Sequence, residues 1–259
     1  MLRLTASRLR ALILLAGVGL LAPAPAPAFA QPLTVSAASS LADVIADVGR
    51  AWVSAGGPGI QVNAGGSNVL ARQVAQGARV DVFVSADHAQ MDVAAASGRL
   101  VAGSVRDLLS NTLVVVVPGR AAAGTFTPGD LATARVTRVA LENPQSVPAG
   151  VYARQWLERA GLWSAVSPKV VPTLTVRAAL AAVRAGRVDA GVIFTTDART
   201  APDVVVAYRV PAAEAPAIRY PVAVVRGPRE SQAIRFVQFL ASPAARAVFE
   251  AAGFLVVGV

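Results

Sequence analysis

The stretch Leu33-Thr34-Val35-Ser36-Ala37-Ala38-Ser39-Ser40-Leu41 decides the fold. A short apolar run, Leu33 to Ala38, breaks into two serines. Behind them Leu41, Val44, Ile45, Val48 and Trp52 recur at i, i+3, i+4, i+7 and i+11. The first pattern is that of a buried strand and the second that of an amphipathic helix, which Gly56-Gly57 ends.

The same unit recurs downstream. Ile60 to Asn63 reads as a strand, and the Gly65-Gly66-Ser67-Asn68 loop leads into a helix through Gln73 and Gln76. Val80 to Ser85 is a third strand, and Leu113 to Val117, wholly apolar, is a fourth that is buried on both faces. A second block follows. Val139 to Leu141 is a strand, then Tyr152, Ala153, Trp156, Leu157 and Ala160 mark a helix ended by Gly161. Val176, Ala179, Leu180 and Val183 mark another helix, ended by Gly186, and Val188 to Phe194 is a strand. Ala233, Phe236, Val237 and Leu240 form a late helical stripe, and Ser242-Pro243 opens one more helix with a cap and a proline. Alternation of this kind predicts α/β lobes with mostly parallel sheets.

Composition bounds the rest. At 259 residues, 54% hydrophobic and 15% charged, the chain has material for two lobes and no case for disorder. Arg3, Arg8 and Arg10, the short apolar run Ala11 to Leu21 and the small residues of Ala28-Phe29-Ala30 read as a secretory signal peptide over 1–30, cleaved after Ala30. No later apolar run approaches the roughly 20 residues that a membrane span requires. There is no cysteine, which excludes disulfides, thiolate metal sites and a lipid anchor on an N-terminal Cys. An exported chain without such an anchor predicts a soluble, monomeric protein of the periplasm. The net charge of +9 is carried almost entirely by scattered arginines, three of them in the leader, without a basic tract. That predicts mild attraction for anions and no nucleic-acid partner.

Four segments combine small or hydroxyl residues with a helix start: Ser39-Ser40-Leu41, Gly66-Ser67-Asn68, Pro148-Ala149-Gly150 and Thr175-Val176-Arg177. A helix N-terminus exposes unpaired N–H groups and about half a positive charge, and small side chains let an anion approach the backbone. Singly each is an ordinary cap; together they predict an anion site. The enzyme reading finds little support. His88 is the only histidine and reads as a solvated helix-start residue, no Gly-x-Ser-x-Gly elbow is present, and Asp81 and Asp87 read as structural.

These residues resemble a known family. Ala37-Ala38-Ser39-Ser40-Leu41, Val69-Leu70-Ala71-Arg72-Gln73, Asp81 to Asp87, Val147-Pro148-Ala149-Gly150-Val151-Tyr152-Ala153 and Tyr220 to Val225 look, in order, like the periplasmic molybdate-binding proteins. The resemblance implies a type II-like two-lobe periplasmic binding protein joined by two crossover segments, with lobe 1 over 31–110 plus 221–259 and lobe 2 over 111–220. It implies a molybdate or tungstate ligand held by the hydroxyls of Ser40 and Ser67, the backbone N–H groups of Ala149 and Val176, and a tyrosine hydroxyl. The tyrosine position falls on Phe194, which has no hydroxyl; Ser39, Asn68, Tyr152, Thr195 and Thr196 are the neighbours that could supplement the set. It implies an inner-membrane ABC transporter permease as partner and no cofactor, the molybdenum being part of the ligand. A fully ionised oxyanion needs donors only, whereas phosphate carries a proton near neutral pH and needs a carboxylate acceptor, which none of the matched positions supplies. Sulfate or a small organic anion on the same fold is the alternative. A ligand-sensing regulator domain is disfavoured by the export signal.

Overall fold

The computed structural model describes residues 31–119 and 126–257, so the leader expected over 1–30 lies outside the described residues. The strands are β1 (Leu33–Ala38), β2 (Ile60–Gly65), β3 (Val82–Val84), β4 (Arg106–Ser110), β5 (Leu113–Pro118), β6 (Val139–Glu142), β7 (Val170–Thr173), β8 (Ala190–Phe194), β9 (Val204–Arg209), β10 (Tyr220–Val224) and β11 (Leu255–Val256). The helices are α1 (Ala42–Ser54), α2 (Ser67–Ala75), α3 (His88–Ala96), α4 (Pro148–Arg159), α5 (Trp163–Val166), α6 (Val176–Arg184), α7 (Thr195–Arg199), α8 (Glu230–Phe239) and α9 (Pro243–Ala252).

The strands form two sheets, ordered β11-β4-β10-β3-β1-β2 and β7-β6-β8-β5-β9. The chain passes from the first to the second through Asn111-Thr112 and returns between Arg209 and Tyr220. The sheets are mixed rather than mostly parallel. β1 is parallel to β2 and β3, and β6 to β7 and β8, but β10 runs antiparallel to β3 and β4, and β5 antiparallel to β8 and β9. The reason is where each strand begins. A parallel neighbour needs a helical crossover back to the starting edge. β5 and β10 instead receive the chain directly from the other sheet, at the edge where their neighbours end, and so run the opposite way.

Burial follows the periodicity of the sequence. Leu41, at the end of a short 3-10 turn, and Val44, Ile45, Val48 and Trp52 of α1 lie buried on one face against β1, and all six residues of β5 are buried. One apolar core runs through both sheets; a smaller cluster of Leu70, Val74, Phe83 and Met91 sits under α2 and α3. Asp81 anchors the first strand: its Oδ2 accepts the Thr34 N–H at 2.7 Å and lies 2.9 Å from Arg229 Nη2. Among the described residues no helix is long and apolar enough to cross a membrane.

Candidate functional site

The two sheets present matching edges. In the first, β1 and β2 are parallel neighbours with Ala38 paired to Gly65, so the Ser39–Leu41 turn and the start of α2 emerge side by side. In the second, β6 and β7 are parallel neighbours with Glu142 paired to Thr173, and α4 and α6 follow them. Ligands in α/β sheets collect beyond such carboxyl ends, where helix N-termini point. A surface hollow of about 610 Å³ lined by Arg79, Arg99, Arg226 and Arg229 lies at the opposite end of the first sheet, where β3 begins, and lacks this arrangement.

The edges meet across a cleft. Arg177 of α6 reaches Asp43 of α1 at 2.9 Å, and Gln90 Nε2 donates to the Ser146 carbonyl at 3.3 Å. A Cβ on Gly66 would stand 2.8 Å from the Leu174 carbonyl oxygen and 3.5 Å from a Val147 methyl, so the backbones of the two lobes touch there.

The donors expected from sequence line this seam. Ser40 and Ser67 are both buried. Ser67 Oγ accepts the Ala86 N–H at 3.1 Å, which leaves its hydrogen free. Ser40 Oγ lies 3.3 Å from the Tyr220 hydroxyl, whose oxygen accepts from Asn111 Nδ2 at 3.2 Å. Asn111 is fixed by its Oδ1, which accepts the Thr112 N–H at 2.9 Å. With Asn111 donating into Tyr220 and Tyr220 into Ser40, the Ser40 hydrogen is free as well. On the facing lobe, Pro148 at the first position of α4 has no N–H, so Ala149 carries the first donor of that helix. Thr175 caps α6 by accepting the Ala178 N–H at 3.1 Å and leaves the Val176 N–H unclaimed by the cap.

A carboxylate occupies the place where donors alone were expected. Glu142, at the end of β6 and 4% exposed, accepts the Ala149 N–H through Oε2 at 2.8 Å. The Val176 N–H stabilises the same carboxylate. Burial pushes the Glu142 carboxyl up to about 8 against the pull of these N–H groups, and the charges of Asp197 and Asp87 push in the same direction. Gly150 makes this possible, because a Cβ there would fall 1.9 Å from the Glu142 carbonyl oxygen. The sequence did contain a signal: a charged residue closing the apolar run Val139 to Leu141, at a strand end, is rarely buried without a role.

Phe194 is 1% exposed, with its ring 5.7 Å from that of Tyr220 and 6.5 Å from that of Tyr152. The neighbours considered as substitutes for its missing hydroxyl face the crossover segments. Thr195 Oγ1 pairs with Thr112 Oγ1 at 2.7 Å, Thr196 Oγ1 accepts from Asn111 at 2.8 Å, and the Tyr152 phenol, raised by burial, meets the Arg219 backbone. Ser39 is buried beside Ser40, and Asn68 Oδ1 accepts the Val69 N–H at 2.8 Å. The hydroxyl the structure does bring to Ser40 belongs to Tyr220, which sequence reasoning had placed only in a family motif.

Arg177 is a buttress. Its Nε stands 2.6 Å from Oδ1 of Asp197, which is 0% exposed, a charge contact without hydrogen-bond alignment. Burial pushes Asp197 up to about 7 in spite of that guanidinium. His88 pairs with Asp107 at 2.7 Å and is half exposed, and Asp87 caps α3 by accepting the Gln90 N–H at 2.9 Å. Neither forms part of a catalytic arrangement.

The profile of the bacterial extracellular solute-binding proteins matches residues 33–255. The chain belongs to that family. As a solute-binding protein it is not an enzyme. It is 33% identical over 228 residues to the molybdate-binding protein ModA of Escherichia coli (strain K12), covering 86% of this chain and 89% of that one. Among solved structures it is similar to the substrate binding domain of a putative molybdenum ABC transporter from Clostridium difficile, at a TM-score of 0.68 and 30% identity, covering 87% of this chain and 99% of that one. The periplasmic molybdate-binding protein of Azotobacter vinelandii shares the two-lobe fold at a TM-score of 0.77 and 22% identity, covering 86% of this chain and 98% of that one.

Proposed function

We propose that this solute-binding protein captures a tetrahedral oxyanion, molybdate or tungstate, between its lobes and delivers it to a membrane ABC transporter. The observation that carries the reading is the seam itself. Two serine hydroxyls with free hydrogens face two helix starts, a donor set for a small anion rather than for an organic solute. Ser40, Ser67, Ala149 and Val176 supply the contacts, and Phe194 contributes its ring alone. The names of the relatives point to the same ligand and the same transporter class. No cofactor takes part; the metal enters and leaves as its oxyanion.

The protein works in the periplasm as a monomer, exported by the leader and cut after Ala30 to begin at Gln31. Intact-mass measurement of periplasmic material gives the mature mass if this holds; mass that retains Leu12 to Leu21 overturns it. The ligand reading is tested by thermal shift of the mature protein with a panel of oxyanions. Ligand at about a hundred times its dissociation constant adds about 2.7 kcal/mol, which at this size raises Tm by roughly 5–10 °C. A shift with sulfate and none with molybdate or tungstate moves the assignment to sulfate.

A further inference from the structure

An anion arriving at the starts of α4 and α6 does not find the Ala149 N–H free, because Glu142 Oε2 already accepts it at 2.8 Å, and the Val176 N–H is turned toward the same carboxylate. Two negative groups cannot share those donors at full strength, and an ionised Glu142 left beside a dianion in a buried seam is strongly disfavoured. The surrounding charges make this worse. Asp197 of α7 and Asp87 at the start of α3 both act on Glu142 with the same sign, while Arg177 of α6 is already engaged with Asp197 and Asp43. The strands on either side end in Thr173 and Phe194 and bring no charge. A neutral Glu142 reverses the balance. It releases the N–H groups at small cost and has an O–H to give.

The position fits that role. β6 and β8 are parallel neighbours, with Ala140 paired to Gly191, so Glu142 is level with Ile193 and its side chain leaves the sheet on the other face from Phe194, beside the start of α6. Glu142 is buried where the starts of α4 and α6 converge, and in its protonated form it has a hydrogen to give there. We propose that Glu142 is a ligand-binding residue of this cleft, which meets the oxyanion in its protonated form and donates its O–H to it, taking up a proton from solvent on binding wherever it was ionised beforehand. This rests on the oxyanion reading given above. The carboxyl is already displaced toward its neutral form, pushed up to about 8 by burial.

The test is titration calorimetry with molybdate at pH 6 and pH 9, each in two buffers of different ionisation enthalpy, neither an oxyanion. The expected result is uptake approaching one proton per anion at pH 9 and little at pH 6, with affinity falling about tenfold per pH unit above pH 8. Glu142→Gln, neutral at every pH and still a donor, binds with no proton uptake and with affinity level between the two pH values. The wild-type proton count stands even where the variant folds poorly. Molybdate binding at pH 9 without proton uptake, or an unchanged pH slope in Glu142→Gln, overturns the inference and leaves the ligand reading intact. Tighter binding of hydrogenphosphate than of molybdate also overturns it, since Glu142 then receives the ligand's proton rather than giving its own. If neither protein binds molybdate or tungstate at pH 6, the ligand reading fails and the inference falls with it.

Discussion

Arg177 and Asp43 lie on opposite sides of the cleft and meet at 2.9 Å, while the same guanidinium touches the fully buried Asp197 behind it. The two contacts differ in energy. The Asp43 side chain is largely exposed and its ion pair is worth roughly 0.2–1 kcal/mol. Asp43→Asn is expected to lower oxyanion affinity by about fivefold at most and to leave Tm unchanged. Arg177→Met strips the partner from a buried carboxylate and is expected to cost about 3–5 kcal/mol of stability. Calorimetric affinity and thermal unfolding of the two variants separate the roles; equal Tm losses would show that Asp43 is not a surface tie.

Under the proposed function, Ser40→Ala and Ser67→Ala each remove a hydroxyl that donates to the bound oxyanion. The expected loss is about 1.5–3 kcal/mol, or roughly 10- to 150-fold in affinity. Tyr220→Phe leaves the Ser40 hydroxyl in place but removes the group that orients its hydrogen, so its loss should be smaller than that of Ser40→Ala. Titration with molybdate ranks the three.

Glu142 also leaves a mark on stability in the absence of ligand. Its folded carboxyl is raised to about 8 from the ordinary value of 4.5, so between those values the folded state holds a proton that the unfolded chain has lost. Stability is therefore fully present below pH 4.5 and falls as pH rises through 8. Asp197, raised to about 7, acts in the same direction. Glu142→Gln removes the larger part and is expected to be more stable than wild type by roughly 2–5 kcal/mol at pH 9, with the difference closing by pH 4. Urea unfolding across that range reads it; a constant difference would mean that the ionisation is not the cause.

Gly66 has φ −65°, a value alanine adopts without strain. A Cβ there nevertheless stands 2.8 Å from the Leu174 carbonyl oxygen of the other lobe. Gly66→Ala should keep the stability of each lobe and prevent full approach of the seam, lowering affinity by an overpacking cost of about 1–3 kcal/mol. Small-angle scattering with saturating molybdate should show a larger radius of gyration than wild type. Unchanged affinity would show that the lobes tolerate the extra atom.

Much of this architecture is legible in the sequence because its units are local. An apolar strand running into small residues and then a 3.6-residue stripe identified β1 with α1 and β6 with α4, and the four helix starts followed from the same reading. What escaped depends on pairing across distance. β7 is interrupted by Pro172 and β10 opens with Tyr220-Pro221, while β9, although Val204 to Tyr208 is an apolar run, is only partly buried and leads into no helical stripe. The antiparallel course of β5 and β10 follows from the crossings between lobes, which leave no local trace. Glu142 and Tyr220 reach the site from strand ends, and only the fold reveals that one faces the helix N-termini and the other Ser40.

Asn111 gives the molecule a further property. It forms half of the two-residue link between the sheets, and its amide holds Thr196 of one lobe and Tyr220 at the end of the return crossover, which in turn touches Ser40. The link between the sheets and the chain of hydrogen bonds that ends on Ser40 thus share the same side chain. The geometry of the link between the sheets and the direction of the Ser40 hydroxyl are in this way tied through one side-chain amide.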